Sequence, residues 1–188
     1  MLSFTDTKLL VEKYNAFNET EAAFKTQVLD FLEKNPHNFA DRHNLNGHLT
    51  ASAWILDATF QKCLLIHHAK LQRWFQAGGH IEPEDTSLEH AAWREATEET
   101  GLKSLETLSR YPQIWDIDIH PIPANKQMAA HLHFDIRFAF MATDKEILPQ
   151  LSEITDIRWI NLSELPNYND SESLLRMKSK TLALCEKF

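Results

Sequence analysis

The chain has 188 residues, 43% of them hydrophobic and 24% charged. That is enough chain for one domain with a buried core, and no run approaches the roughly 18 apolar residues of a membrane span. Two cysteines exclude a disulfide framework and a cysteine zinc site, and a net charge of −8 without a basic stripe argues against a grip on long nucleic acid.

The opening "MLSFTDTKLL" has no basic region followed by a long apolar run. A signal peptide is therefore not expected, and the reducing cytoplasm is the expected location. Residues 1–35 read as helical. Asn18 and Glu21 fit a capping box, and Phe24, Val28, Phe31 and Leu32 recur at helical spacing. Asn35-Pro36 ends that segment, and 37–46 reads as a polar loop. Strands are expected at 48–57 and 62–69. The stretch "WFQAGGHIEP" then leads into a glycine pair.

A helix follows that pair. Thr86 with Glu89 fits a second capping box, and Gly101 fits the position just past the last turn. Further strands are expected at 112–120, 131–141 and 155–160. A helix start is expected at 161–165 and a final helix at 171–186. Helices, strands, one central helix, strands and a last helix make an α+β order rather than regular βαβ winding.

The central helix carries the chemistry. Each residue turns about 100°, so Glu95, Glu98 and Glu99 share one face. Like charges at these spacings repel, and "EATEE" alone reads as a solvated acidic face. The neighbours change that reading. Glycine lets the backbone approach a ligand, Arg94 can orient a carboxylate, and converging carboxylates suit a hard divalent cation. Such a cation offsets the repulsion, neutralises diphosphate oxygens and activates water.

"GGHIEPEDTSLEHAAWREATEETGL" resembles the signature of the Nudix hydrolase family. Arg94, Glu95, Ala96, Glu98, Glu99, Gly101 and Leu102 match its second half at every specified position. The first half departs. Gly79 lies one position further from Arg94 than in the family pattern, the isolated Glu becomes Asp85 or Glu84, and Ala77 stands where a proline often precedes the glycines. The extra residue is placed in the "PEDTS" loop, because a loop absorbs it at little cost.

The resemblance implies an α/β/α sandwich with a mixed sheet over 45–188, preceded by a helical extension at 1–44. It implies hydrolysis of a diphosphate linkage in a nucleoside diphosphate joined to another moiety, with Mg²⁺ or Mn²⁺. By motif match Glu95, Glu98 and Glu99 bind the metal, with the backbone carbonyl near Gly78 or Gly79 as a further ligand. Arg94 orients the glutamates. The general base is left between Glu95 and Glu153, the latter preceding the strand that ends at Trp159.

A second informative stretch is "WDIDIHPIPANKQMAAHLHFDIRF". Asp116, Asp118 and His120 alternate with apolar residues, as do His131, His133 and Asp135, so each strand puts three titratable groups on one face. A hairpin would set the two faces side by side. One reading is the exposed face of an antiparallel pair. The other is a substrate cleft, with His131, His133 and Asp135 binding phosphate, acting as base or ligating a metal. Trp74 and Trp115 read as packing or as nucleobase stackers, and His67, His68 and Cys63 as structural.

The expected partner is a small nucleotide or nucleotide derivative, with no membrane. A homodimer is left open. The alternatives are an inactive nucleotide-binding module on the same fold, a diphosphate isomerase, and RNA decapping, against which the acidic charge counts.

Overall fold

Ser3 opens the first helix, α1 (Phe4–Lys13), by accepting the Asp6 N–H. The second, α2 (Glu19–Lys34), is capped by Asn18, which accepts from the Glu21 N–H at 3.0 Å. Glu21 in turn accepts the Phe17 N–H at 2.6 Å, one residue before the position a strict capping box uses. The helical stretch read over 1–35 is thus two helices. The computed structural model describes residues 2–108, 113–124, 128–143, 147 and 154–186.

The remaining elements are β1 (His48–Leu56), β2 (Lys62–His68), β3 (Arg73–Phe75), β4 (Ala77–His80), α3 (Leu88–Thr100), β5 (Leu105–Thr107), β6 (Asp116–Ile122), β7 (His131–Ala142), β8 (Ile154–Asn161) and α4 (Glu172–Cys185). A short 3-10 helix at Leu165–Asn167 stands where the sequence suggested a helix start at 161–165. The three short strands β3, β4 and β5 have no counterpart in the sequence reading. β4 carries the glycine pair, and glycine lacks the side chain from which strand periodicity is read.

The sheet is mixed. β1 runs parallel to β7 over nine paired positions, from His48↔His133 to Leu56↔Met141. The other pairings are antiparallel: β2 and β4 on β1, β6 and β5 on β7, and β3 and β8 on β2. The hairpin expected between the two aspartate-histidine stretches is present as β6–β7, with Asp118 opposite Asp135 and His120 opposite His133.

Alternation along β1 divides the core. Leu49, Ala51, Ala53 and Ile55 share one cluster with Val11, Val28 and Leu32 of α1 and α2 and with Leu88, Ala92 and Ala96 of α3. Trp54 and Leu56 share the other with Cys63, Leu65, and Leu174 and Met177 of α4. Helices therefore cover both faces.

Asp116 and Asp118 face neither solvent nor a cleft. Arg176 on α4 donates to Asp116 through Nε and Nη2 at 2.9 and 2.8 Å, and Arg137 on β7 reaches the same carboxylate at 3.2 Å. Lys180 donates to Asp116 at 2.9 Å and pairs with Glu21 of α2. Buried charges persist only when paired, and here each has more than one partner. The network ties α2 and α4 to the β6–β7 edge.

Candidate functional site

β4 and α3 build the site. Gly78 and Gly79 lie opposite Ser52 and Ala51 of β1. A Cβ on Gly78 would lie 2.7 Å from the Ser52 Cα, and one on Gly79 would lie 2.8 Å from the Glu95 carboxylate oxygens. The first glycine lets two strands approach, and the second lets a carboxylate lie against the backbone.

α3 begins one residue later than the capping pattern suggested. Ser87, not Thr86, accepts the cap bond, from the His90 N–H at 3.0 Å, and Glu89 falls within the first turn. Gly101 ends the helix in the left-handed conformation, φ 73°. The helix is continuous between these ends, so the residue in excess of the family pattern lies upstream of it.

Arg94 organises the acidic face. Its Nε and Nη2 donate to the two oxygens of Asp85 at 3.1 and 2.9 Å, and Nη2 also donates to the His80 carbonyl. Its Nη1 donates to Glu95 at 3.0 Å and Glu98 at 3.1 Å. Glu99 turns to the strand and accepts the Gly78 N–H at 2.9 Å. Asp85 is fully buried, whereas Glu84 is exposed, so Asp85 is the acid that meets the arginine. A turn closed between Glu82 and Asp85 returns the loop to Arg94.

The charges follow from these contacts. Burial opposes ionisation of Asp85, but Arg94, the Glu82 N–H and His90 outweigh it and hold the carboxyl below the usual range. The bond to Asp85 raises the Arg94 guanidinium above its ordinary value. Burial raises the Glu95 carboxyl, partly offset by Arg94. The donor set is all carboxylate and backbone oxygen, which fits Mg²⁺ or Mn²⁺ better than a softer metal.

The hairpin histidines and aspartate part company. Asp135 is buried and accepts from Thr50, Ser52, Gln76 and Arg137, at 3.1, 2.8, 3.4 and 2.7 Å. Its oxygens are engaged inside the fold rather than presented to a ligand. His131 and His133 instead meet His48, His80 and His120 at the other end of the polar face. Burial and the neighbouring imidazoles push the His48 ring down to about 4 and the His133 ring to about 2.

The NUDIX domain family model matches residues 47–178. The chain belongs to that family. A curated relative, the NAD-capped RNA hydrolase NudC of Deinococcus radiodurans, is 32% identical over 114 residues, which are 58% of this chain and 36% of the relative. The chain thus spans about a third of that protein's length. A NUDIX-family hydrolase from Clostridium perfringens superposes with TM-score 0.55 at 26% identity, covering 73% of this chain and 97% of the other. The NUDIX domain of Shewanella oneidensis NrtR, solved with ADP ribose, superposes with TM-score 0.54 at 17% identity, covering 81% and 97%. The last likeness speaks to the fold alone.

Among the other expected site residues, Glu153 lies outside the described residues. Trp74 packs on His67 and edge-on to Tyr168. His67 bonds Thr155, and His68 accepts two backbone N–H groups of the following turn. Cys63 is buried, its thiol pushed up to about 12. The sequence reading missed His48 and His80. Each is a lone histidine at a strand end, and only the sheet register brings them together. No helix among the described residues is long and apolar enough to cross a membrane.

Proposed function

We propose that this Nudix hydrolase cleaves a diphosphate linkage in a small nucleotide derivative, a nucleoside diphosphate joined to a second moiety. Glu95, Glu98 and Glu99, with the Gly79 carbonyl, would hold Mg²⁺ or Mn²⁺. When bound, such an ion neutralises phosphate charge and lowers the pKa of water. One observation carries the reading: Glu95 and Glu98 converge on a single Arg94 nitrogen, at 3.0 and 3.1 Å, beside a glycine whose side-chain space the Glu95 carboxylate occupies.

The chain's own residues have distinct tasks. Arg94 fixes the carboxylates and is itself fixed by Asp85, so its role is positioning. Glu95, half-buried and raised, is the candidate to accept the proton of the water that attacks phosphorus, with Glu153 as the alternative. Residues 45–188 form the catalytic unit in this proposal, and 1–44 form an extension that completes its core. The retained carboxylates favour an enzyme over a binding module.

The test is a panel of NADH, ADP-ribose, dinucleoside polyphosphates, nucleotide sugars, coenzyme A and nucleoside triphosphates, each with Mg²⁺, Mn²⁺ or chelator. Cleavage of at least one compound only with metal is expected, falling about 100-fold or more in Glu98→Gln. If no compound is cleaved in a metal-dependent way, the binding-module reading stands instead.

A further inference from the structure

Five histidines from four strands meet at one end of the sheet. His48 opens β1, His80 closes β4, His120 lies on β6, and His131 and His133 begin β7. The His48 ring lies 4.6 Å from His133 and 5.1 Å from both His80 and His131, centroid to centroid. One ring nitrogen from each of His48, His80 and His133 lies within 4.8 Å of the others. His48 is fully buried, and neither of its ring nitrogens has a hydrogen-bond partner among the described residues. Buried polar atoms are almost always satisfied, and a neutral imidazole carries both a donor and a lone pair. Ring packing satisfies neither.

Two of the surrounding rings are in the tautomer that metal ligands use. His131 donates its Nδ1–H to the Ala129 carbonyl at 2.9 Å, since a carbonyl only accepts. His120 donates its Nδ1–H to the Asp118 carboxylate at 3.3 Å. A neutral ring so held has its lone pair on Nε2, the arrangement found where a carboxylate or carbonyl orients a ligating histidine.

We propose that His48, His80 and His133 bind a first-row transition-metal ion of the zinc class, with His131, its ring centroid 5.1 Å from that of His48, the candidate for a fourth position. Imidazole nitrogen suits this class and not Mg²⁺. The site is separate from the carboxylate one. Successive strand side chains point to opposite faces, so Gly79 looks toward Glu95 on α3 while His80, paired with Thr50, looks to the other face. Metal–nitrogen bonds of about 2.0–2.1 Å in a tetrahedron set nitrogens about 3.4 Å apart, so the rings close by up to about 1.4 Å on binding. Arg42 donates to His80 Nδ1 at 2.8 Å, and an ion taking that nitrogen displaces the guanidinium, for which Glu82 stands 3.8 Å away. His133 then holds a metal, one of the roles the alternating pattern left open beside phosphate binding and proton transfer.

The experiment reads binding, not turnover, so it does not depend on the proposed hydrolysis. Chelator-stripped protein is loaded with Zn²⁺ in excess Mg²⁺ and gel-filtered, and bound metal is counted by mass spectrometry. One equivalent of zinc per chain is expected. His80→Ala and His133→Ala, checked for folding by circular dichroism, should weaken binding at least 100-fold, while Glu98→Gln retains the ion. Co²⁺ added to the wild-type protein should give the visible bands of a low-coordinate nitrogen site, a reading that needs no variant. A folded wild-type protein that keeps no zinc and gives no such bands overturns the site. So does zinc that survives both histidine substitutions or is lost in Glu98→Gln.

Discussion

Arg94 grips Asp85 with two nitrogens, at 3.1 and 2.9 Å, and spends its third on Glu95 and Glu98. The buried acid therefore sets the orientation of half-buried Glu95 and exposed Glu98. Asp85→Asn keeps the shape but loses the charge, leaving the guanidinium without its main partner. A fall of at least about 10-fold in kcat/KM is expected, with a stability loss approaching the 3–5 kcal/mol of a broken buried pair. Glu84→Gln, at the exposed neighbour, should stay within about twofold and within about 0.5 kcal/mol. Thermal melts and steady-state rates on the pair decide which residue takes the place of the isolated glutamate in the family pattern. Equal effects would remove Asp85 from that role.

The two glycines should fail in different ways. At Gly79 a methyl group meets the end of the Glu95 side chain, which can swing aside. Gly79→Ala is therefore expected to lose activity and divalent-ion affinity while its melting temperature changes little. At Gly78 the same methyl group meets the backbone of Ser52, which cannot move without opening the β1–β4 pairing. Gly78→Ala should lose about 1–3 kcal/mol, the usual cost of overpacking. Melting curves and rates that moved together in both variants would contradict the distinction.

The parts of this site that are local in sequence were legible, and the parts made by register were not. Glu95, Glu98 and Glu99 show their common face because helical spacing is a property of neighbours. Asp85 could not be separated from Glu84, since only the turn from Glu82 to Asp85 sends one of them back to Arg94. Asp116, Asp118 and Asp135 alternate as a solvent-facing or cleft-facing strand would. Arg137 shares that alternation two residues after Asp135, but Arg176 and Lys180 lie on α4, where nothing in the strand pattern pointed to them. The i,i+4 pair Arg176 and Lys180 on the last helix was the available signal. Likewise His48 and His80 join the hairpin histidines only because β1 pairs with both β7 and β4.

The boundary at residue 44 cuts through one core. Val11, Val28 and Leu32 are fully buried against the same cluster as Leu49, Ile117 and Ile136, and Phe31 stacks on Phe134 with ring centroids 4.2 Å apart. Glu21 adds a partner for Arg176 and Lys180. Removing residues 1–44 uncovers that apolar face and strips one acid from the buried network. The truncated chain is expected to bind a hydrophobic dye and lose its cooperative melt. A shortened chain that melts sharply near the full-length temperature would make the extension dispensable.

Acid should attack the protein through Asp116. Burial opposes its ionisation, but Arg176, Arg137 and Lys180 outweigh that and hold its carboxyl well below the usual carboxylate range. In the unfolded chain it titrates near its ordinary value of about 3.9. The unfolded state therefore binds the proton first as pH falls. The stability that the charged group contributes is complete above that ordinary value and is lost as pH drops through it toward the folded value. The depressed His48 and His133 rings already favour the unfolded chain as pH drops through about 6.5, so urea midpoints should decline from there and fall more steeply below about pH 4, where Asp116 adds its share. Asp116→Asn leaves Arg176 and Lys180 short of a counter-charge, so it should start about 3–5 kcal/mol less stable at neutral pH. It has no proton to take up at that position, so its further loss in acid should be shallower. An acid slope identical to that of the wild-type chain would move the acid sensitivity to another carboxylate.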